Sequence, residues 1–192
     1  MTDYTTVEAV KSRLHIEEDA QHDETIRVVI TGVSRWIEWY CGRRFTAAAS
    51  ATRYYTAEDG EVVYVDDLQS VSALATDDGS RTYGTSWSAS QFDLAPYNAV
   101  ADGLPCTKIY ATRGYAFPAG KRGVRVTGSF GWTAVPEAVE QACALQAMRL
   151  FKRDQAIFGV VGSAELGQQL VIPKMDPDVM LLLAPLRRGP MV

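Results

Sequence analysis

Two histidines, His15 and His22, stand seven residues apart. A helical metal pair wants ligands at i and i+4, or a third ligand nearby, so this spacing reads as exposed or structural imidazoles. Ser34 follows Gly32-Val33 but runs on into Arg35-Trp36 inside a helical pattern. It therefore lacks the second glycine and the strand-to-helix turn of a nucleophile elbow. Gly159-Val160-Val161-Gly162 has the glycines of a phosphate loop, yet it follows a helical pattern and no Gly-Lys-Ser/Thr ends it. Asp66-Asp67 and Asp77-Asp78-Gly79 cluster carboxylates without the alternating oxygen ligands of a calcium loop, and turn chemistry is the simpler reading of both. Cys41, Cys106 and Cys143 are odd in number and show no CxxC spacing. They read as reduced, mostly buried thiols of a protein made in the cytosol. These residues supply no nucleophile–base pair, metal cluster or cofactor motif, so the expectation is a protein that is not an enzyme and carries no cofactor.

The elements around these residues form a split helical pattern. Thr5 and Glu8 have capping-box spacing and open a short helix to about Leu14, with Val7, Val10 and Leu14 on one face. A longer helix is predicted over Asp23–Cys41, where Ile26, Val29, Ile30, Val33, Ile37 and Tyr40 recur at helical spacing. Gly42 suits its C′ position, and Arg43-Arg44 sit where the helix dipole favours cations.

From about Ala49 to Gly131 the period changes to two. Arg53–Thr56 and Glu61–Val65 flank Glu58-Asp59-Gly60 as one expected hairpin. Ser70–Ala75 and Arg81–Tyr83 flank Asp77–Ser80 as a second. Further strands are expected at Ser90–Leu94, Thr107–Ala111 and Val124–Gly131, with loops at Pro96–Pro105 and Gly114–Gly123. Pro136 at N1 then starts a helix over Val135–Asp154, lined by Val139, Cys143, Ala147, Leu150 and Phe151. A flexible loop at Gly159–Gly167 and a strand at Leu170–Ile172 precede a short helix capped by Asp176, with Pro177 at N1. The class is α+β, a helical frame from both ends of the chain around a central antiparallel β insert. A single domain is expected, divided into 1–45, 46–131 and 132–192.

At 192 residues the chain suits one ordinary domain, and 47% apolar with 22% charged residues makes wholesale disorder untenable. Val179–Leu183 is the longest apolar run, far below the roughly 20 residues that span a bilayer, so no membrane is expected. Nor does MTDYTTVEAVKSRL have the form of a signal peptide. The net charge of −4 argues against a dedicated nucleic-acid binder. Residues 1–30 hold seven acids against three bases, a local −4, whereas 136–192 balance six against six.

Trp36, Trp39, Tyr40 and Trp132 are either core between the two long helices or an interface surface, since Trp, Tyr and Arg dominate binding hot spots. Trp36, Ile37 and Trp39 cannot all face inward from one helix, so at least one tryptophan belongs at an edge. Val179, Met180, Leu181, Leu182, Leu183 and Leu186 crowd the last helix with more apolar surface than one stripe holds. The expected interface set is Trp36, Trp39, Arg43, Arg44, Trp132, Leu182, Leu186, Arg187 and Arg188. The last segment, from about Leu170, is expected to swing and dock on a partner.

SRWIEWYCGRRF at 34–45, GWTAVPEAVEQACALQAMRLFKRD at 131–154 and DPDVMLLLAPLRR at 176–188, in this order, resemble the head–tail connector (adaptor) proteins of tailed bacteriophages. The resemblance implies a structural protein of the virion head–tail junction, made in the host cytoplasm. It further implies a dodecameric ring of the chain with itself, bound to the portal protein and to a stopper or tail-completion protein. DNA would pass through the lumen without tight binding. A gene transfer agent would use the same protein. The alternative is a ligand- or carbohydrate-binding module built on Tyr54, Tyr55, Tyr83, Trp87 and Tyr97.

Overall fold

The computed structural model describes residues 2–18, 20–155, 160–161, 170–171 and 176–188. Its elements are α1 (Val7–Leu14), α2 (Asp23–Cys41), β1 (Ala49–Tyr55), β2 (Val62–Thr76), β3 (Thr85–Trp87) and β4 (Phe92–Ala95). There follow β5 (Cys106–Ala111), β6 (Val124–Phe130), α3 (Glu137–Gln155), β7 (Val160–Val161), β8 (Leu170–Val171) and α4 (Pro177–Leu183). Ala89–Gln91 and Ala184–Leu186 are single 3₁₀ turns. The class is α+β. The described residues up to Arg44 and those from Val135 to Arg188 form one compact unit, and Phe45–Ala134 form another.

In the helical unit, α3 packs against α1, α2 and α4. The start of α1 lies one residue later than its sequence suggests. Thr6, not Thr5, is the N-cap, and its hydroxyl accepts the Ala9 N–H at 3.2 Å. That leaves Glu8 at the second helical position, so the capping box does not form. The helix ends on His15 in the left-handed region (φ 59°), with the His15 N–H donating to Ser12 O and the Ile16 N–H to Lys11 O. Lys11 is buried and pairs with Asp23 at 2.8 Å, which ties α1 to the first turn of α2.

α2 buries Ile26, Ile30, Val33 and Ile37 of the expected stripe and, beside them, Ser34 and Cys41, while Val29 and Tyr40 are half-buried. It ends on Gly42 (φ 63°), whose N–H reaches Trp39 O while the Arg43 N–H reaches Glu38 O. This double closure satisfies the last carbonyls of the helix. α3 begins at Glu137 rather than Val135. Pro136 lies just before it, its carbonyl accepting from Val139 and Glu140. Val139, Cys143, Ala147 and Phe151 are buried as expected, and Leu150 is half-buried. The expected flexible loop at 159–167 falls mostly outside the described residues, although Val160–Val161 pair antiparallel with Leu170–Val171.

The β unit is a sheet in the order β1-β6-β2-β5-β4, with β3 against the end of β2. Its pairing corrects the first expected hairpin. β1 does not fold back on β2. It pairs with β6 over the full register from Ala49↔Phe130 to Tyr55↔Val124. The turn between them is real, since Asp59 Oδ1 accepts the Glu61 and Val62 N–H groups at 2.8 and 2.9 Å. A turn sets a local reversal, but a two-residue period is indifferent to which strand supplies the partner.

The two segments Glu61–Val65 and Ser70–Ala75 turn out to be one strand, β2. Its first half pairs with β5 and its second with β6, with register shifts between Tyr64 and Leu68, Leu68 and Ser70, and Val71 and Ala73. Such bulges bend a long strand so that it can serve two neighbours. The second turn, around Asp77–Ser80, is placed as expected, but its return strand is Thr85–Trp87 instead of Arg81–Tyr83. The core gathers Val63, Val65, Leu68, Leu74, Ile109, Phe117, Val124, Val126 and Phe130. Its first and last segments lie side by side: Ala47 bridges Trp132, with Trp132 N–H on Thr46 O and Ala48 N–H on Trp132 O, each at 2.9 Å. A segment inserted between two helices needs such adjacent ends.

Candidate assembly surface

The C-terminal end of α2 and the residues just after it carry four of the nine residues singled out from sequence, Trp36, Trp39, Arg43 and Arg44. With Ile37 and Cys41 turned inward, Trp39 points outward and is 78% exposed. Trp36 is half-buried and stacks on Tyr40 one turn later, centroids 5.3 Å apart and planes at 22°. Aromatic pairs at this helical spacing support each other. The Arg187 guanidinium lies 4.7 Å from the Tyr40 ring centre, in cation–π range. It is brought there by the neighbouring residue, because the Arg188 N–H donates to Cys41 O at 2.8 Å.

Glu38 anchors the opposite side. It accepts the Tyr4 hydroxyl at 2.9 Å and pairs with Arg35 at 3.2 Å and Arg44 at 3.8 Å. Arg43 is half-buried and Arg44 exposed. Trp36, Trp39, Arg43, Arg44, Arg187 and Arg188 are therefore gathered at one end of one unit. Sequence reasoning missed Tyr4 and Glu38. The Arg35–Glu38 spacing of three was a visible helical signal, whereas nothing local links Tyr4 to a residue 34 positions away.

Trp132 does not join this surface. It belongs to the β unit, is only 2% exposed, packs beside Phe45 with centroids 5.2 Å apart, and donates its Nε1–H to Asp67 at 3.0 Å. Core packing is its role, though not between the two long helices. Asp67 is thus a buried acceptor inside β2, and its neighbour Asp66 pairs with Arg53 at 2.6 Å and accepts from the Tyr55 hydroxyl. The turn reading of Asp66-Asp67 is corrected. That of Asp77-Asp78 stands, with the Arg81 and Ser80 N–H groups on their carboxylates.

α4 is docked on its own unit and not held as a free segment. Val179 and Leu183, one turn apart, are fully buried. Asp176 caps the helix by accepting the Asp178 N–H, gives its own N–H to Gln146 Oε1 and pairs with Arg149. Leu182 and Leu186 are half-buried, and Leu181 is the strongly exposed member of the apolar set at 74%.

The aromatic side chains of the β unit do not form a sugar-stacking platform. Tyr83 is buried with its hydroxyl on Arg122 O, and Trp87 stacks face to face on Phe117 at 4.6 Å. Arg122 covers Tyr54 at 4.8 Å, while Tyr55 is engaged by Asp66. Tyr97 and, beneath Arg122, Tyr54 are the exposed members of the five, and the ligand-binding alternative has no support. Among the described residues no group of His, Cys, Asp and Glu could hold a metal ion, and no helix is long and apolar enough to cross a membrane. His15 caps α1, and His22 packs edge-on against Phe151 at 5.3 Å.

All three cysteines are free and buried. Burial pushes the Cys41 and Cys143 thiols up to about 11. Both should resist alkylation at neutral pH in the native chain and react once it is unfolded, because the thiolate is the nucleophile. An unfolded chain loses these protons near the ordinary thiol value, around pH 9, while the folded chain keeps them. Stability should therefore be undiminished below pH 9 and fall between pH 9 and 11. Replacing both by serine should abolish that part of the decline in denaturant titrations run at each pH.

Residues 4–80 match the phage gp6-like head-tail connector protein family. The match spans α1, α2, β1 and β2, including the Trp36–Arg44 end of α2. This is the family that the sequence resembles. No curated protein matches the chain. One solved structure with a similar fold is described as the neck of an empty GTA particle computed with C6 symmetry. It is 18% identical, covering 97% of this chain and 90% of that one, with a TM-score of 0.56. Another, the neck of a native GTA particle computed with C12 symmetry, is 20% identical over 100% and 96%, with a TM-score of 0.48.

Proposed function

We propose that this chain is a structural protein of the neck of a tailed phage or phage-like particle, joining the portal vertex to the stopper or tail and extending the DNA channel. The observation that carries the reading is the connector-family match over residues 4–80. The likeness of fold to a GTA neck chain over 97% of the sequence agrees with it. The chain then acts as a single connector domain, with helices from both ends of the chain and the β-rich segment between them in sequence. Copies form a ring, twelve being the number that the resemblance implies, and the ring sits at the head–tail junction. Its residues have no catalysis to perform.

The lumen in this reading is lined by acidic groups of the N-terminal third or of the insert, so that DNA passes without being held. Lysine and arginine contacts to phosphate would add salt-dependent affinity and slow transit. A reconstruction of particles that carry this chain should show it as a ring between portal and tail, and the purified chain should not shift duplex DNA at physiological salt. A neck without the chain, or tight duplex binding that weakens as salt rises, would contradict the proposal.

A further inference from the structure

α2 separates two surfaces of opposite character. At its C-terminal end lie the exposed Arg44 and Arg187, with Glu38, which pairs with Arg35 and Arg44, and the exposed Trp39 indole. Before and at its N-terminus, the described residues of 15–24 include Glu17, Glu18, Asp23 and Glu24 and no lysine or arginine. Glu17 and Glu18 are exposed, while Lys11 engages Asp23 and Arg27 engages Glu24. The helix has 19 residues, which at 1.5 Å each puts the two surfaces about 28 Å apart. They cannot neutralise each other within one copy.

We propose that the Trp39–arginine end of α2 in one copy docks on the acidic α1–α2 corner of a second copy. Two copies meeting through the same end would oppose arginine to arginine, which like-charge repulsion disfavours. The complementary pairing is head to tail, and a head-to-tail contact repeats until its rotation closes a ring. Trp39 supplies what charge alone lacks. A large, exposed indole, flanked by the stacked Trp36–Tyr40–Arg187 group, is the type of anchor that concentrates binding energy at an interface. The inference rests on the neck reading for its biological setting, but its chemistry is independent of it.

The test measures self-association of the full chain, alone and on purified portal rings, by sedimentation at low and high salt. Arg44→Glu with Arg187→Glu should weaken association about tenfold or more, and Glu17→Lys with Glu18→Lys should do the same. Combining all four substitutions should restore it. Trp39→Ala should cost about thirtyfold while leaving the melting curve unchanged, since the side chain is exposed. A wild-type chain that associates neither alone nor on portal rings overturns the inference. So does insensitivity to either reversal, or a failure of the combined variant to recover. A ring seen in the neck with its contacts elsewhere overturns this interface and leaves the neck reading intact. Salt-sensitive, swap-rescued association of a chain absent from the neck does the opposite.

Discussion

Trp132→Ala is expected to destabilise the β unit by about 3–5 kcal/mol, the range for removing a buried aromatic side chain. The indole is 2% exposed, fills space beside Phe45 and donates to the buried carboxylate of Asp67. Its backbone also clamps the incoming and outgoing segments of the unit through Thr46 and Ala48. Trp132→Phe separates these contributions. It keeps most of the volume but withdraws the donor from Asp67, for a loss of about 1–3 kcal/mol. Urea unfolding followed by far-ultraviolet circular dichroism measures both. A cost below about 1 kcal/mol for the alanine variant would be incompatible with a packed, hydrogen-bonded indole.

Gly128→Ala is expected to cost about 3 kcal/mol or more by forcing apart the two central strands. A Cβ at this position would lie 2.1 Å from Ser70 O and 3.3 Å from Leu68 Cδ1. The obstacle is a backbone carbonyl and cannot rotate away. Gly128 faces β2 where the register shifts around Ser70 and Val71, and those shifts carry the Ser70 carbonyl over the glycine. The control is Gly79→Ala in the turn after β2. No atom lies within 4 Å of its added Cβ, so the only penalty there is its positive φ of 105°. Comparing the two melting curves isolates the clash, and equal losses would show that the bulged strand yields easily.

Much of the helical unit could be read from the chain alone. The Ile26–Cys41 stripe, the Gly42 terminator and the Asp176-Pro177 start are local signals, and each acts within one or two turns of itself. The same locality made the exposed tryptophan legible: a helix that turns Ile37 inward must turn Trp39 away. The small errors at Thr5–Thr6 and Pro136 concern which of two adjacent residues closes the first turn, a choice made by cap geometry.

What the tertiary structure alone decided is non-local. Alternation in β1 and β2 set which side chains share a face, but the insertion of β6 between those strands depends on residues some seventy positions later. Period-two patterning carries no address for a partner, and only close packing selects one. Trp132 could not be assigned from sequence between surface and core, because the answer lay in Asp67 and Phe45. The gathering of Trp36, Tyr40, Arg44 and Arg187 likewise needed α4 docked on its own unit, so that Arg188 could reach the Cys41 carbonyl. Sequence determined the helices and the chemistry on their faces. Packing between distant segments determined which of those faces remained open to a partner.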